Sequence, residues 1–326
     1  GIVVVPSAIG ALQRLAAYHR REFKGRVVAI TGSNGKTIVK EWASRSMPDT
    51  VRSFASPKSY NSQLGVALSL LMLDGEEEVA FIEAGISEPG EMERLEAMIR
   101  PDIVVVTSIG DAHSANFASE RAKIEEKLLL ARRARTIIYS SEYRSLASCI
   151  EELYGDRELI DSSLEEDVED ELELSDALSV DALHVSALMR RLGYGVDDAV
   201  FSAHVAMRLE LKEGVDDSMI IDDTYNSDIN SVAVALDALY VQSMGRRRVA
   251  VISDIRQSGI PSEELYQRVA AAVKKAAVDH LIGVGETISS FAHLFPRGSS
   301  FYLSTDELIE NFDRERWAKS VILVKG

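Results

Sequence analysis

The chain has 326 residues, enough for two domains of ordinary size, and 46% of them are hydrophobic, so sizeable cores are expected. Its formal net charge of −16 argues against nucleic acid as the main partner, because phosphate backbones bind basic surfaces. No apolar run approaches the roughly 20 residues that span a bilayer, and the single cysteine, Cys149, excludes an internal disulfide and fits the expected location, a reducing cytoplasm.

The first half of the chain alternates between strand-like and helix-like patterns. Continuous apolar runs such as 79–82 and 103–106 indicate buried strands, and apolar positions at helical spacing lie between them. Such alternation predicts βαβ units and a parallel sheet that is covered by helices on both faces. In chain order we predict a helix at 8–21, a strand at 27–30, a helix at 38–42, a strand at 79–82, a helix at 91–99, a strand at 103–106, a helix at 123–133 and a strand at 136–139.

The second half shows the same alternation after an interruption. The acidic run at 165–171 is typical of a solvated loop, so a linker is predicted near 163–174. The fold class is therefore α/β, with a central P-loop ATPase-type parallel-sheet domain at 25–204 and a smaller Rossmann-like C-terminal domain at 205–326. A helix predicted at 177–192 completes the central domain. The elements predicted in the C-terminal domain are strands at 219–221, 249–252, 281–284 and 321–324, and helices at 231–244, 262–277 and 306–311.

Residues 31–37, Thr-Gly-Ser-Asn-Gly-Lys-Thr, lie between a predicted strand and a predicted helix. Glycines let consecutive backbone N–H groups turn toward one point, and the helix adds its positive N-terminal end, so the segment is typical of a phosphate loop. In such a loop Lys36 reaches the β- and γ-phosphates, and the Thr37 hydroxyl binds Mg²⁺. The general pattern has glycine or alanine where this chain has Ile30. The alternative is an ordinary strand–turn–helix with a chance Gly-Lys-Thr.

Other polar residues fall at the carboxyl ends of predicted strands, where ligands bind in open α/β sheets. Glu83 follows a fully apolar strand, and a carboxylate there suits Mg²⁺, which prefers oxygen ligands; alternatively, it caps the next helix. His113 alone is weak evidence for a site, and Lys127 is, by periodicity, a solvated helix lysine. The remaining positions of this kind are 108–113, 222–223 and 254.

Taken together, these segments resemble the Mur ligases, the ATP-dependent enzymes that extend the peptidoglycan stem peptide. The family has a shortened phosphate loop, which explains Ile30. The sequences of these segments are most similar to a bacterial subgroup in which the ligase is fused ahead of an alanine racemase. A racemase domain beyond residue 326 is therefore an expected partner. The segments that carry the resemblance are 32–37, 59–65, 83–85, 89–91, 112–113 and 221–230.

The resemblance implies two metal ions and a bound nucleotide. It assigns Thr37 and Glu83 to one Mg²⁺ and His113 to a second metal. Lys127 matches a lysine that the family carbamylates with CO₂, and a carbamate, unlike an ammonium group, is an anionic oxygen donor for a metal. The residues expected to bind ATP are Gly32, Ser33, Asn34, Gly35, Lys36, Thr37, Asp181, Arg208 and Asp223.

Some positions depart from the family pattern. Asp181 stands where the family has an asparagine that contacts adenine, and Ser108 replaces an asparagine that is common after the strand. Arg208 matches an arginine at the domain junction, and Asp223 matches an aspartate of the C-terminal domain. Residues 1–24 resemble the exit segment of a UDP-sugar domain that is absent here.

The implied reaction is ATP-dependent amide formation through an acyl phosphate, with UDP-muramoyl-tripeptide and D-alanyl-D-alanine as substrates. Two alternatives stay open: a folate polyglutamate synthetase-like ligase, and a non-catalytic, nucleotide-binding module that supports the fused racemase. The residues expected to contribute to the substrate sites are Asn61, Ser62, Tyr225, Asn226 and Asn230.

Overall fold

The structure, a computed structural model, describes residues 4–110, 114–165, 176–197, 199–202, 210–224, 227–256, 258–312 and 317–326. The chain divides into two compact units, Gly1–Ser202 and Ala203–Gly326. Most of the acidic linker that is predicted near 163–174 lies outside the described residues.

The first unit is an α/β layer structure around a six-stranded parallel sheet in the order β2-β3-β1-β4-β5-β6. Its strands are Arg26–Thr31 (β1), Ser53–Ala55 (β2), Val79–Glu83 (β3), Ile103–Val106 (β4), Thr136–Tyr139 (β5) and Glu158–Asp161 (β6). Its helices are Ala8–Glu22 (α1), Lys36–Arg45 (α2), Gln63–Leu71 (α3), Glu91–Ile99 (α4), Glu120–Leu128 (α5), Arg144–Tyr154 (α6), Asp176–Leu192 (α7) and Ala199–Ser202 (α8).

Strand β1 occupies the centre of this sheet and explains where a ligand can bind. Its neighbours are β3 on one side, with Ile30 opposite Glu83, and β4 on the other, with Thr31 opposite Val106. β1, β3 and β4 are buried on both faces, and their sequences are therefore continuous apolar runs. Parallel strands end at the same edge, so the polar residues that follow these three strands meet there.

The second unit has its own sheet and its own core. The strand order is β11-β10-β9-β12-β8-β7, and only β7 runs antiparallel to its neighbour among the described strands. The strands are Glu210–Glu213 (β7), Met219–Asp223 (β8), Arg247–Ser253 (β9), His280–Val284 (β10), Ser300–Tyr302 (β11) and Ser320–Lys325 (β12). The helices are Ile229–Gln242 (α9), Ser262–Lys275 (α10), Glu286–Ser290 (α11) and Thr305–Glu310 (α12).

The predicted α/β class, with a parallel-sheet unit followed by a second, smaller α/β unit, is confirmed. The helix predicted at 123–133 is displaced, because Ser119 caps it: the Ala122 N–H donates to Ser119 Oγ at 3.1 Å, and the helix ends at Leu128. Cys149 is buried, as expected for a small core side chain. Among the helices that the structure describes, none is long and apolar enough to cross a membrane.

Candidate functional site

The loop between β1 and α2, residues 32–35, is tightly packed against neighbouring side chains on two sides. Gly35 caps α2 with a φ of 80°, and a β carbon there would lie 2.2 Å from Asp181 Oδ1. Gly32 has a φ of 144°, and a β carbon there would lie 2.0 Å from Thr107 Oγ1. Both positions therefore require glycine, for their backbone conformation and for the space. The sequence predicted a phosphate loop here, and the strand, turn and helix are all present.

The loop is held by the chain that follows β4. The Ser33 N–H donates to Ser108 O at 2.6 Å, and the Asn34 N–H donates to Ser108 Oγ at 3.3 Å. Thr107 Oγ1 donates to Thr31 O at 3.2 Å and also contacts Asn34 O. Ser108 thus fixes the backbone of the loop. Its role could not be seen in the sequence, because it depends on the neighbouring strand.

The beginning of α2 provides an anion site. The first backbone N–H groups of a helix have no acceptor within it, and the helix dipole places partial positive charge at the same end. Lys36 is the first residue of α2, and its Nζ donates to Ser33 O at 2.9 Å, which folds the side chain back over the loop. A phosphate group at this position would meet both the N–H groups and the ammonium group.

Thr37 and Glu83 meet at the carboxyl edge of the sheet, as the sequence predicted. Thr37 Oγ1 donates to Glu83 Oε2 at 2.9 Å, and Asn61 Nδ2 donates to Glu83 Oε1 at 2.7 Å. Glu83 is only 1% exposed and is the last residue of β3. The alternative role, a cap of the next helix, is wrong, because α4 begins at Glu91 and its cap is Gly90. Asn61, predicted as a substrate residue, orients the Glu83 carboxylate.

A second pair of residues, which sequence reasoning missed, supports Glu83. The Glu83 N–H donates to Ser56 Oγ at 3.2 Å, and Lys40 Nζ donates to Ser56 O at 2.7 Å and to Lys58 O. Lys40 is fully buried on α2. A single lysine therefore joins the helix after the phosphate loop to the segment that leads to Asn61. Only its spacing on α2, one turn after Lys36, could have indicated this role.

The oxygen atoms of Thr37 and Glu83 fit one magnesium ion. Mg²⁺ keeps several waters and binds through one or two carboxylates together with substrate phosphates, so a hydroxyl and a carboxylate beside a phosphate loop suffice. Among the described residues there is no group of three or more His, Cys, Asp or Glu side chains that could hold a metal ion without a substrate. His113, predicted to bind a second metal, lies outside the described residues.

Lys127 is buried, so the expectation of a solvated helix lysine is wrong. Its Nζ donates to Gly32 O at 3.1 Å from a side chain that is 3% exposed. Helical periodicity failed because the face of α5 that is turned inward carries lysines as well as apolar residues. Burial lowers the pKa of Lys127 well below its ordinary value, and the positive charges of Lys36 and Lys123 lower it further.

Helix α7 carries two buried polar side chains, of which one lies against the phosphate loop and the other against Thr107. Asp181 lies against Gly35, and its charge contributes, after burial, to raising the pKa of Tyr143 to about 12. His184 lies on the next turn and accepts from Ser162 Oγ through Nδ1 at 2.9 Å. Its Nε2–H donates to Thr107 O at 3.2 Å, and this acceptor fixes the tautomer. Burial lowers the pKa of His184 to about 4. The sequence analysis predicted Asp181 but missed His184.

In the second unit, Asp223 ends β8 and forms a buried ion pair. Asp223 Oδ2 lies 3.2 Å from Lys325 Nζ, and the two residues are opposite each other in neighbouring strands. Asp254, another polar residue at a strand end, caps α11: the Ile288 N–H donates to Asp254 Oδ1 at 2.7 Å. Ser62 likewise caps a helix, α3, by accepting from the Gly65 N–H at 3.2 Å.

The remaining predicted site residues cannot be placed in full. Arg208, Tyr225 and Asn226 lie outside the described residues. Asn230 belongs to α9. The described part of the site therefore consists of the phosphate loop, the Thr37–Glu83 pair, Asn61, Asp181 and Lys127, all of which belong to the first unit.

Both units match known families. Residues 30–181 match the family described as Mur ligase middle domain, and residues 207–326 match the family described as Mur ligase, glutamate ligase domain. The UDP-N-acetylmuramoyl-tripeptide--D-alanyl-D-alanine ligase of Bacillus subtilis (strain 168) is 25% identical over 311 residues, which cover 87% of this chain and 68% of that protein.

Solved structures with the same fold include the MurF proteins of two bacteria. MurF from Acinetobacter baumannii has a TM-score of 0.83 with this chain at 22% identity, covering 99% of this chain and 78% of that one. MurF ligase from Thermotoga maritima, in complex with ADP, has a TM-score of 0.76 at 21% identity, covering 100% and 82% of the two chains.

Proposed function

Because the chain belongs to the Mur ligase family, we propose that it joins D-alanyl-D-alanine to UDP-N-acetylmuramoyl-tripeptide in an ATP-dependent step of peptidoglycan synthesis. The family matches cover residues 30–181 and 207–326. The substrates follow from the relatives, since the Bacillus subtilis relative is named for this activity. Members of this family are ATP-dependent ligases, and the Thermotoga maritima structure was determined with ADP.

The observation that carries the proposal is the position of Thr37 and Glu83 beside the phosphate loop. Thr37 is the second residue of α2, next to Lys36, and its hydroxyl lies 2.9 Å from the buried Glu83 carboxylate. A triphosphate bound at the start of α2 would place its terminal oxygens near these groups. The arrangement serves phosphoryl transfer, in which proteins act mainly by positioning and by electrostatic stabilisation.

The proposed reaction has two chemical steps. A carboxylate oxygen of the tripeptide attacks the γ-phosphorus of ATP, the bond to the bridging oxygen breaks, and ADP leaves with that electron pair. The amine of D-alanyl-D-alanine then attacks the carbon of the acyl phosphate, inorganic phosphate leaves, and the amine proton passes to solvent. In the first step Lys36 and the N-terminus of α2 stabilise negative charge on the phosphate oxygens.

Thr37 and Glu83 would hold a Mg²⁺ ion through a hydroxyl oxygen and a carboxylate oxygen. When bound, the ion would neutralise negative charge on the phosphoryl group that is transferred. Asn61 orients the carboxylate by donating to its second oxygen at 2.7 Å. Ser56 and Lys40 restrain the backbone on either side of this arrangement.

We also propose that Lys127 carries a carbamate derived from CO₂. Its side chain is buried against Gly32, which favours the neutral amine. The neutral nitrogen forms a bond to the carbon of CO₂ and releases one proton. In ¹³C NMR of the protein equilibrated with labelled bicarbonate, a carbamate signal is expected, and it should be absent from Lys127→Ala. A signal that persists in this variant would place the carbamate elsewhere. The roles that the resemblance implies for His113, Arg208 and Asp223 stay predictions.

The direct test is product formation by the full chain. UDP-N-acetylmuramoyl-tripeptide, D-alanyl-D-alanine, ATP and Mg²⁺ should yield the amide product by mass spectrometry, with release of inorganic phosphate. Lys36→Ala should lower the turnover at least about a hundredfold, because a charge-assisted contact made in the transition state is lost. Lys24→Ala removes an exposed lysine of the same unit and should have no effect.

Two outcomes would overturn the assignment. Turnover that is unchanged by Lys36→Ala would show that the phosphate loop is not the nucleotide site. ATP binding without any amide product would favour the non-catalytic, nucleotide-binding module. The folate polyglutamate synthetase alternative is not favoured, because the relatives from Bacillus subtilis and Buchnera aphidicola are named UDP-N-acetylmuramoyl-tripeptide--D-alanyl-D-alanine ligases.

A further inference from the structure

Helix α5 carries two buried lysines one turn apart. Lys123 and Lys127 are 1% and 3% exposed, and their spacing places both side chains on the same face. Lysine is almost never fully buried without compensation, because an ammonium group is costly to remove from water. Lys127 has a role in the proposed function, whereas the proposed reaction does not use Lys123.

A single carbonyl group connects Lys123 to the phosphate loop. Lys123 Nζ donates to Gly110 O at 2.5 Å and to Ser114 Oγ at 3.0 Å. Ser33 Oγ, in the phosphate loop, donates to the same Gly110 oxygen at 3.4 Å. Ser108, two residues earlier, accepts from the backbone of the loop. Lys123 therefore holds the chain after β4 in contact with the loop.

The side-chain nitrogens of two further lysines donate to carbonyls of the same loop. Lys127 Nζ donates to Gly32 O at 3.1 Å, and Lys36 Nζ donates to Ser33 O at 2.9 Å. The positive charges of Lys36 and Lys123 repel each other at this loop in the free protein, and both contribute, after burial, to the depressed pKa of Lys127. A bound polyphosphate would compensate this repulsion. The arrangement therefore favours a charged ligand over an uncharged one.

We propose that Lys123 is a positioning residue of the phosphate site, which fixes the Gly110 carbonyl against Ser33 and adds fixed positive charge for the polyphosphate of the nucleotide. The proposal rests on the proposed function, because it takes the ligand to be a nucleoside di- or triphosphate. It predicts that Lys123 strengthens binding of the phosphate groups of the ligand and has no effect on binding of its base. It also predicts that the buried charge of Lys123 lowers the stability of the nucleotide-free protein.

The experiment compares ADP and adenosine binding to the full chain by calorimetry. Lys123→Met keeps the length of the side chain and removes its charge. The matched control is Arg121→Met, on the solvent side of the same helix, where the guanidinium pairs with Glu125 and Glu152. We expect Lys123→Met to weaken ADP binding about tenfold or more, since a charged contact is lost. Adenosine binding should stay within about twofold of wild type, because adenosine has no phosphate.

The unfolding temperature of the nucleotide-free protein separates a positioning role from a purely structural one. Lys123→Met should unfold at the same or a higher temperature than wild type, since a buried charge and its repulsion are removed. An ADP affinity within about twofold of wild type, or an equal loss for ADP and adenosine, would overturn the proposal. If wild type binds ADP and Lys36→Ala weakens binding while Lys123→Met does not, only the role of Lys123 fails. If wild type does not bind ADP, the proposed function fails as well.

Discussion

The buried imidazole of His184 makes the stability of the first unit depend on pH. Its pKa is about 4 in the folded chain, because burial disfavours the charged form, against about 6.5 when unfolded. The unfolded state therefore binds more protons between these values, so the contribution is fully present above about pH 6.5 and is lost as the pH falls toward 4. Urea unfolding should show a loss of about 2 kcal/mol between pH 7 and pH 5 from this group.

The matched variant for this prediction is His184→Asn, which has no titratable ring. Carboxylates elsewhere contribute the same pH dependence to both proteins, so the difference between the two slopes isolates the imidazole. The hydrogen bond to Thr107 O and the charge of Asp161 raise the pKa of His184, against the larger effect of burial. Equal slopes for wild type and His184→Asn would contradict the assignment of a neutral, buried imidazole.

Single residues were also where sequence reasoning failed most often. Glu83 and Thr37 could be predicted to meet, because the ends of neighbouring parallel strands lie at one edge. Lys40, Lys123 and Lys127 could not be separated from solvated lysines, since a helical pattern does not distinguish a buried ammonium group that is held by carbonyls from an exposed one. His184 was missed because its partner, Thr107, is distant in sequence and is brought close only by the packing of α7.

At the scale of elements, the sequence predicted best what is buried on both faces. Strands β4 and β5 were predicted with their bounds, because continuous apolar runs have no other stable place in an α/β domain. Strands β2 and β6 were missed; they lie at the two edges of the first sheet and are half-buried, so their composition carries little signal. Helix α6 was missed despite an apolar face, because its beginning has no side-chain cap.

The turn between β1 and α2 allows a second prediction, on packing between elements. Gly35→Ala should be destabilising by about 2–4 kcal/mol, because alanine is strained at a φ of 80° and its methyl group would collide with Asp181 of α7. Gly90→Ala is the control: Gly90 caps α4 with a φ of 82° and has no atom within 4 Å of the added carbon. It should cost only about 1–2 kcal/mol, the price of the backbone conformation.

Nucleotide binding distinguishes the two glycines more sharply than stability does. Gly35→Ala should also weaken ADP binding strongly, since any relief of the collision with Asp181 moves the loop or α7. Gly90→Ala should leave ADP binding unchanged. Equal free energies of unfolding for the two variants, measured with urea, would show that α7 does not pack against the phosphate loop as the structure has it.

At the scale of the whole molecule, the negative net charge is unfavourable for binding the proposed anionic nucleotide. A net charge of −16 repels a nucleoside triphosphate, so binding depends on local positive groups. Lys36 and Lys123 supply them beside the phosphate loop, together with the N-terminus of α2.

The two separate cores lead to the last prediction. Apolar residues of Gly1–Ser202 and of Ala203–Gly326 form distinct clusters, so each unit is expected to open with its own free energy. ADP with Mg²⁺ at about one hundred times its dissociation constant should stabilise the first unit by about 2.7 kcal/mol. Hydrogen exchange of the full chain should therefore slow about a hundredfold in β1, β3 and β4, where exchange requires opening of that unit. Lys36→Ala should abolish this protection and Lys24→Ala should keep it; protection that persists in Lys36→Ala would mean that the nucleotide binds elsewhere.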